Sequence, residues 1–198
     1  MTTDNRLLRT VAELTRLMDT HPSADDSILQ PAGELIASLI AEDDWLPAEF
    51  ATAESERYSQ HLLYGDPLER FSLVSFVWGP GQEIPVHDHT VWGVVGILRG
   101  AEIEQHYELA DAGLIPKGPS QRLERGQVAY VSPTLGDIHS IRNAYDDRAS
   151  ISIHLYGGNI GRISRSIYDE KTGERKSFVS GYSNLHTPNL WASAQTAS

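Results

Sequence analysis

Gly81 to Gly100 read GQEIPVHDHTVWGVVGILRG. Its centre is His87-Asp88-His89. Residues two apart on a β-strand point to one face. Alternation therefore sends His87 and His89 toward one cavity and Asp88 the other way. Two imidazoles side by side begin a metal site, because neutral imidazole suits Zn, Cu, Fe and Ni. Two surface histidines on a polar strand are the bland alternative. Val86 and the apolar run Val91 to Leu98 flank the pair, broken by Gly93 and Gly96. That composition reads as buried strand, turn and buried strand. A polar triplet inside an apolar β segment is costly unless something satisfies it, and a metal would do so.

Working outward, 198 residues suffice for one domain with a real core. Hydrophobic content of 40% against 22% charged indicates a globular chain. No apolar run is long enough for a membrane span. The opening MTTDNRLLRT lacks the apolar core of a signal peptide. The chain has no cysteine, which excludes disulfides, thiolate metal ligands and a cysteine nucleophile. Both features fit a cytoplasmic protein. A net charge of -11 argues against nucleic acid and anionic membranes as partners, and its plain consequence is solubility.

Residues 4 to 19 carry Leu7, Leu8, Val11, Leu14, Leu17 and Met18 at helical spacing, and His21-Pro22 ends the run. Pro31 suits the first turn of a second helix with Leu35, Ile36, Leu39 and Ile40 on its buried face. The acidic run Glu42-Asp43-Asp44 and Pro47 close that helix. Residues 1–50 are thus expected as a helical cap. From Arg57 the period becomes two. The expected strands are 57–64, 71–78, 84–89, 92–98, 101–109, 121–124, 128–131, 138–144 and 149–156. Many short strands between Gly, Pro and Asp turns mean a β-sandwich or barrel. After Tyr156 comes a less regular tail with a turn at Lys171-Thr172-Gly173, and Ala192 to Ser198 are expected to fray. The expectation is one domain over residues 1–198, with residues 57–182 forming the barrel core and a C-terminal extension.

About fifty residues past the first pair, Gly126, Pro133, Gly136, His139 and Asn143 punctuate a strand, a turn and another strand. Here the chain resembles the cupin superfamily. Its first motif, G-x5-H-x-H-x3,4-E-x6-G, is matched by Gly81, His87, His89 and Gly100, with Gly93 where the glutamate would stand. Its second, G-x5-P-x-G-x2-H-x3-N, is matched with one residue added on each side of Pro133. The resemblance implies a mainly β fold, a cupin jelly-roll barrel with the helical N-terminal cap. Three histidines without the anionic ligand would leave the metal dicationic and open to an anionic substrate. Imidazole-only ligation disfavours Mg and Ca, but it suits Zn and Fe alike.

Ser152, His154 and Tyr156 alternate with Ile151, Ile153 and Leu155, so the three polar groups share one strand face. They could form a hydrogen-bonded row, or simply a polar outer face. Ser-x-His-x-Tyr after the two motifs resembles the thiol dioxygenases of the cysteine dioxygenase type. HDHT at His87 to Thr90, HLY at His154 to Tyr156 and YDEKTGE at Tyr168 to Glu174 carry the likeness from about Tyr58 to Tyr182. It implies an Fe(II) enzyme that adds both atoms of O2 to a small thiol. His87, His89 and His139 would be the iron ligands. Ser152, His154 and Tyr156 would be an outer relay, with Tyr156 donating a hydrogen bond at the metal or positioning substrate.

Two departures bear on the substrate. Animal cysteine dioxygenases carry a Cys-Tyr thioether whose cysteine falls near Gly93, and this chain has no cysteine. They also hold the substrate carboxylate with an arginine in Tyr-x-Arg, where this chain reads Tyr58-Ser59-Gln60. Both changes resemble the bacterial branch that prefers 3-mercaptopropionate, in which an arginine past the relay strand takes the carboxylate. Arg165 matches that place, and Arg162 competes with it. L-Cysteine as substrate and a non-catalytic metal-binding cupin remain the alternatives. Trp92 is expected in the core, and His21, His61, His106 and His186 in surface or structural roles. Oligomeric state is left open.

Overall fold

The computed structural model describes residues 5–21, 26–111 and 113–191. The segments expected to end the first helix at Pro22 and to fray at residues 192–198 lie outside these. Helix α1 (Arg6–Thr20) starts where the Asn5 side chain accepts the Leu8 N–H at 3.1 Å. It buries Leu7, Val11, Leu14 and Met18. Helix α2 (Leu29–Ile40) carries Pro31 in its first turn, where the missing N–H costs nothing, and buries Ile36, Leu39 and Ile40.

The strands are β1 (Ser59–Gly65), β2 (Ser72–Trp78), β3 (Glu83–His87), β4 (Gly93–Arg99), β5 (Ala101–Ala110) and β6 (Gly113–Pro116). After them come β7 (Gln121–Glu124), β8 (Val128–Val131), β9 (His139–Asn143), β10 (Ser150–Tyr156), β11 (Arg165–Tyr168) and β12 (Arg175–Phe178). One sheet has the order β1-β2-β10-β4-β8. The other runs β12-β11-β3-β9-β5-β6, with β7 also paired to β5. Every pairing is antiparallel. Two antiparallel sheets closed on each other this way are the cupin jelly roll.

The central strands of the first sheet, β2, β10 and β4, are buried on both faces, and alternation assigns each face a task. Leu73 and Val77 of β2, Val94 and Leu98 of β4, and Ile151, Ile153 and Leu155 of β10 share a core cluster with α1 and α2. Val74, Phe76 and Trp78 of β2 and Tyr156 of β10 form a second cluster. The helices therefore cover the outer face of this sheet, while β2 and β10 line the barrel interior with their alternate residues.

Gly93 and Gly96 lie in β4, within the expected strand 92–98. They are small because neighbours press on opposite faces. A Cβ on Gly96 would sit 2.6 Å from Ile36 of α2, and one on Gly93 3.0 Å from the Tyr156 ring. Two expectations change. Strand β3 stops at His87 rather than reaching residue 89. In addition, β6, β11 and β12 lie in segments that the sequence pattern assigned to no strand. They are four residues each, too short for alternation to emerge.

Candidate active site

His87, His89 and His139 come together inside the barrel. Their ring centroids lie 4.8, 4.8 and 4.9 Å apart. His87 is the last residue of β3, and His139, the first of β9, is its register partner. His89 arrives by another route than strand alternation. Thr90 takes φ +61°, and the Asp137 carboxylate accepts the N–H groups of both His89 and Thr90, at 2.9 and 2.7 Å. That carboxylate pins the turn that follows β3. Asp88 points away and ties down β11, accepting from the Ser166 N–H at 2.8 Å and the Tyr168 hydroxyl at 2.7 Å.

Each imidazole is oriented through Nδ1. His87 Nδ1 lies 2.9 Å from the Pro85 carbonyl, His89 Nδ1 2.8 Å from Asp137 Oδ1, and His139 Nδ1 2.5 Å from Glu104 Oε1. Carbonyl and carboxylate oxygens can only accept, so each Nδ1 is the protonated nitrogen and each Nε2 carries a lone pair. One ligand atom from each ring lies within 4.8 Å of the others. His139 Nε2 is buried without a hydrogen-bond partner. A buried nitrogen lone pair aimed at two others fits a divalent metal, and the outer acceptors are those that metal-ligating histidines use. Burial, and then the neighbouring histidines, hold the pKa values of His87 and His89 well below the usual range, which keeps them neutral. Burial pushes Glu104 up, but hydrogen bonds with His106 and His139 outweigh it and hold this carboxyl well below its ordinary value.

The row on β10 is a connected chain. Ser152 Oγ lies 2.8 Å from His154 Nε2, and His154 Nδ1 lies 2.8 Å from the Tyr156 hydroxyl. Trp78 Nε1 donates to Ser152 Oγ at 3.3 Å. All three β10 residues are buried, so this is no polar outer face. The Tyr156 ring stacks on His89 with centroids 5.2 Å apart. Burial pushes the His154 pKa down to about 3 and raises that of Tyr156, so both stay neutral.

Gln60 and Arg165 line the same small cavity as the histidines and Tyr156, with Tyr58, Phe76 and Trp78 as its aromatic wall. Gln60 Nε2 donates to Ser180 Oγ at 3.2 Å and the Gly181 carbonyl at 3.1 Å, and Arg165 donates to Ser180 Oγ at 2.6 Å. Arg165 is buried, its Nε has no partner, and among the described residues no carboxylate pairs with it. Burial lowers its pKa. Arg162 is exposed and bonded to Glu69 at 2.8 Å. Trp92 sits in the helical core cluster, as expected. His61, on β1, is buried against Phe50, and His186 pairs with Glu49 at the surface.

Sequence reasoning missed Glu104 and Asp137. A signal existed for the first: Glu102, Glu104 and His106 alternate on one strand with Ala101 and Ile103, placing acids where apolar residues would be expected. Asp137 offered none, because a turn residue's partner depends on which loop lies opposite.

The fold and three convergent histidines define a metal-dependent cupin. The chain belongs to the cysteine dioxygenase type I family, whose model matches residues 8–171. It is 30% identical over 135 residues to "Cysteine dioxygenase type 1" of Danio rerio, a match spanning 66% of this chain and 64% of that one. Against "Cysteine dioxygenase type 1" of Homo sapiens, identity is 23% over 188 residues, 91% of each chain. Among solved structures it is similar to a cupin superfamily protein from Desulfitobacterium hafniense. That likeness has a TM-score of 0.45 and 14% identity, covering 60% of this chain and 94% of the other. Among the described residues, no helix is long and apolar enough to cross a membrane.

Proposed function

We propose that this protein is an Fe(II)-dependent thiol dioxygenase that converts 3-mercaptopropionate and O2 to the sulfinate. The thiol dioxygenase class follows from the family, and the whole chain acts as one cupin unit because its helices share a core with the β10 sheet. In the reaction R–SH + O2 → R–SO2H, both oxygen atoms go to sulfur, which supplies four electrons. Iron, held by His87, His89 and His139, would bring thiolate and O2 together and mediate the electron transfer.

The protein's own groups do the positioning. Arg165 carries the substrate argument: a buried guanidinium with a free Nε and no counter-ion among the described residues is costly, and a substrate carboxylate relieves it through paired hydrogen bonds. Gln60 shares Ser180 with it and helps to hold the anion. Tyr156, held by His154 and Ser152, presents its hydroxyl to the reacting thiol and O2. The aromatic wall excludes water. The lack of cysteine fits a reducing compartment, and the reading places the enzyme in the cytoplasm.

L-Cysteine is the second reading, favoured by the names of the curated relatives. Anaerobic iron loading followed by parallel O2-uptake and sulfinate assays separates the two. Coupled uptake and sulfinate from 3-mercaptopropionate, with weak activity on L-cysteine and cysteamine, is expected. Preference for L-cysteine would overturn the substrate. No turnover of any thiol by iron-loaded protein would overturn the activity.

A further inference from the structure

The relay of Ser152, His154 and Tyr156 can carry its hydrogen bonds in either of two directions. If Ser152 donates to His154 Nε2, then His154 Nδ1–H donates to the Tyr156 oxygen, and the tyrosine proton is free to face the cavity. If the row runs the other way, the tyrosine proton is spent on His154 Nδ1, and His154 Nε2–H donates to Ser152. The O and N positions fit both, because each hydroxyl can donate or accept. Trp78 can only donate to Ser152, so it fits both as well. At the buried end of the row, the direction is biased by what meets Ser152 at its remaining site.

Glu102 is the buried carboxyl on this side of the row, held at Ser150, two residues before Ser152 on the same strand face, with Ser152 acting on its anion. It enters from β5, on the opposite sheet, and is fully buried. Ser150 Oγ donates to its Oε1 at 3.5 Å, and hydrogen bonding by Ser152 stabilises its anion. Among the described residues, Oε2 has no hydrogen-bond partner. Its register partners on either side, Leu123 of β7 and Asn143 of β9, are uncharged. Strand β10 brings Ser150 and Ser152, with His154 and Tyr156 beyond them. Glu104, on the same strand, presses on it, and like charge disfavours its anion. Among the described residues no cation offsets this burial, and desolvation first, then Glu104, raise its pKa to about 8.

We propose that Glu102 is a positioning residue that sets the direction of the relay through its own protonation. As the neutral acid it donates to Ser152 and frees the Tyr156 proton for the cavity. As the carboxylate it accepts from Ser152 and turns that proton back onto His154. The consequence for turnover rests on the thiol dioxygenase reading; the switch in the row does not.

The test needs no turnover. Nitrogen NMR of histidine-labelled, zinc-loaded protein reads which His154 nitrogen carries hydrogen. The His154 signals are assigned by loss in His154→Gln. His154 should pass from the Nδ1–H to the Nε2–H form as pH rises through the Glu102 pKa. Glu102→Gln, locked neutral, should show one tautomer at every pH. Ser150→Ala should retain the switch, which separates a role through Ser152 from simple burial beside Ser150. A wild-type tautomer that does not change with pH, or a switch that survives in Glu102→Gln, would overturn the proposal. If Glu102→Gln fails to fold, Glu102→Asp should keep the switch at a shifted pH, and an unshifted midpoint would overturn it. Loss of the alkaline limb of kcat/KM in Glu102→Gln is the kinetic counterpart. Failure of wild-type iron enzyme to make any sulfinate would count against the reaction and leave the NMR result standing.

Discussion

Gly93 of β4 and Tyr156 of β10 are register partners, and the tyrosine ring occupies the space that a side chain at position 93 would need. A Cβ there would lie 2.9 Å from Val131 and 3.0 Å from Tyr156. The place where the cupin pattern carries an anionic ligand is thus given to the relay tyrosine. Gly93→Ala should destabilise the fold by about 1–3 kcal/mol through overpacking. It should also move Tyr156 off His154. Denaturant unfolding and turnover measured together check this: a variant of unchanged stability and full activity would show that the ring yields freely.

Tyr156→Phe removes one hydroxyl from a row otherwise left intact. His87, His89 and His139 are oriented by other groups, and the Tyr156 hydroxyl bonds His154, so bound iron should match wild type. Sulfinate formation should fall about 10- to 100-fold, the size typical of outer-shell partners. Iron content by metal analysis and product yield per iron decide it, and unchanged turnover would remove Tyr156 from the reaction.

Much of this was legible because period-two alternation is strictly local. Ser152, His154 and Tyr156 needed only their spacing to share a face, and the fold adds the 2.8 Å contacts that spacing cannot supply. His87 and His139 were legible as motif positions, although their meeting is a matter of β3–β9 register. His89 shares the cavity for a reason that alternation did not contain, since its strand has ended and Asp137 holds the turn. Glu104 and Asp137 stayed hidden because a carboxylate's role is fixed by which imidazole lies opposite, 35 or 48 residues away.

Glu104→Gln tests that hidden layer. Gln has the same shape, but its side chain has no charge to polarise His139. Metal affinity should drop about 10- to 100-fold. Competition with a chelator reads this directly, without any assay of the reaction. Asp137→Asn should weaken metal binding through His89 and also loosen the Thr90 turn. Equal affinity in wild type and Glu104→Gln would mean that Glu104 serves only to neutralise His106.

Arg165 and Arg162 make a matched comparison, one buried with a free Nε and the other exposed on Glu69. Arg165→Ala should raise KM for 3-mercaptopropionate by at least about tenfold, the equivalent of one charge-assisted hydrogen bond. It should affect cysteamine, which has no carboxylate, far less. Arg162→Ala should resemble wild type, since exposed ion pairs contribute little. The reverse ranking would relocate the carboxylate site to the surface side of the barrel.

Glu102 should also shape stability. Its folded pKa, about 8, lies above its ordinary value of 4.5, so the folded state holds a proton that the unfolded state has released. Stability from this group is fully present below pH 4.5 and is lost as pH rises toward 8. The loss runs at no more than about 1.4 kcal/mol per pH unit. Glu102→Gln cannot ionise and has no such slope. Denaturant midpoints for the two proteins, measured across that window, should diverge steadily, with the variant gaining on wild type at higher pH. Parallel curves would mean that Glu102 ionises as easily inside the barrel as in water, and the carboxyl could not then act as a neutral donor to Ser152 at physiological pH.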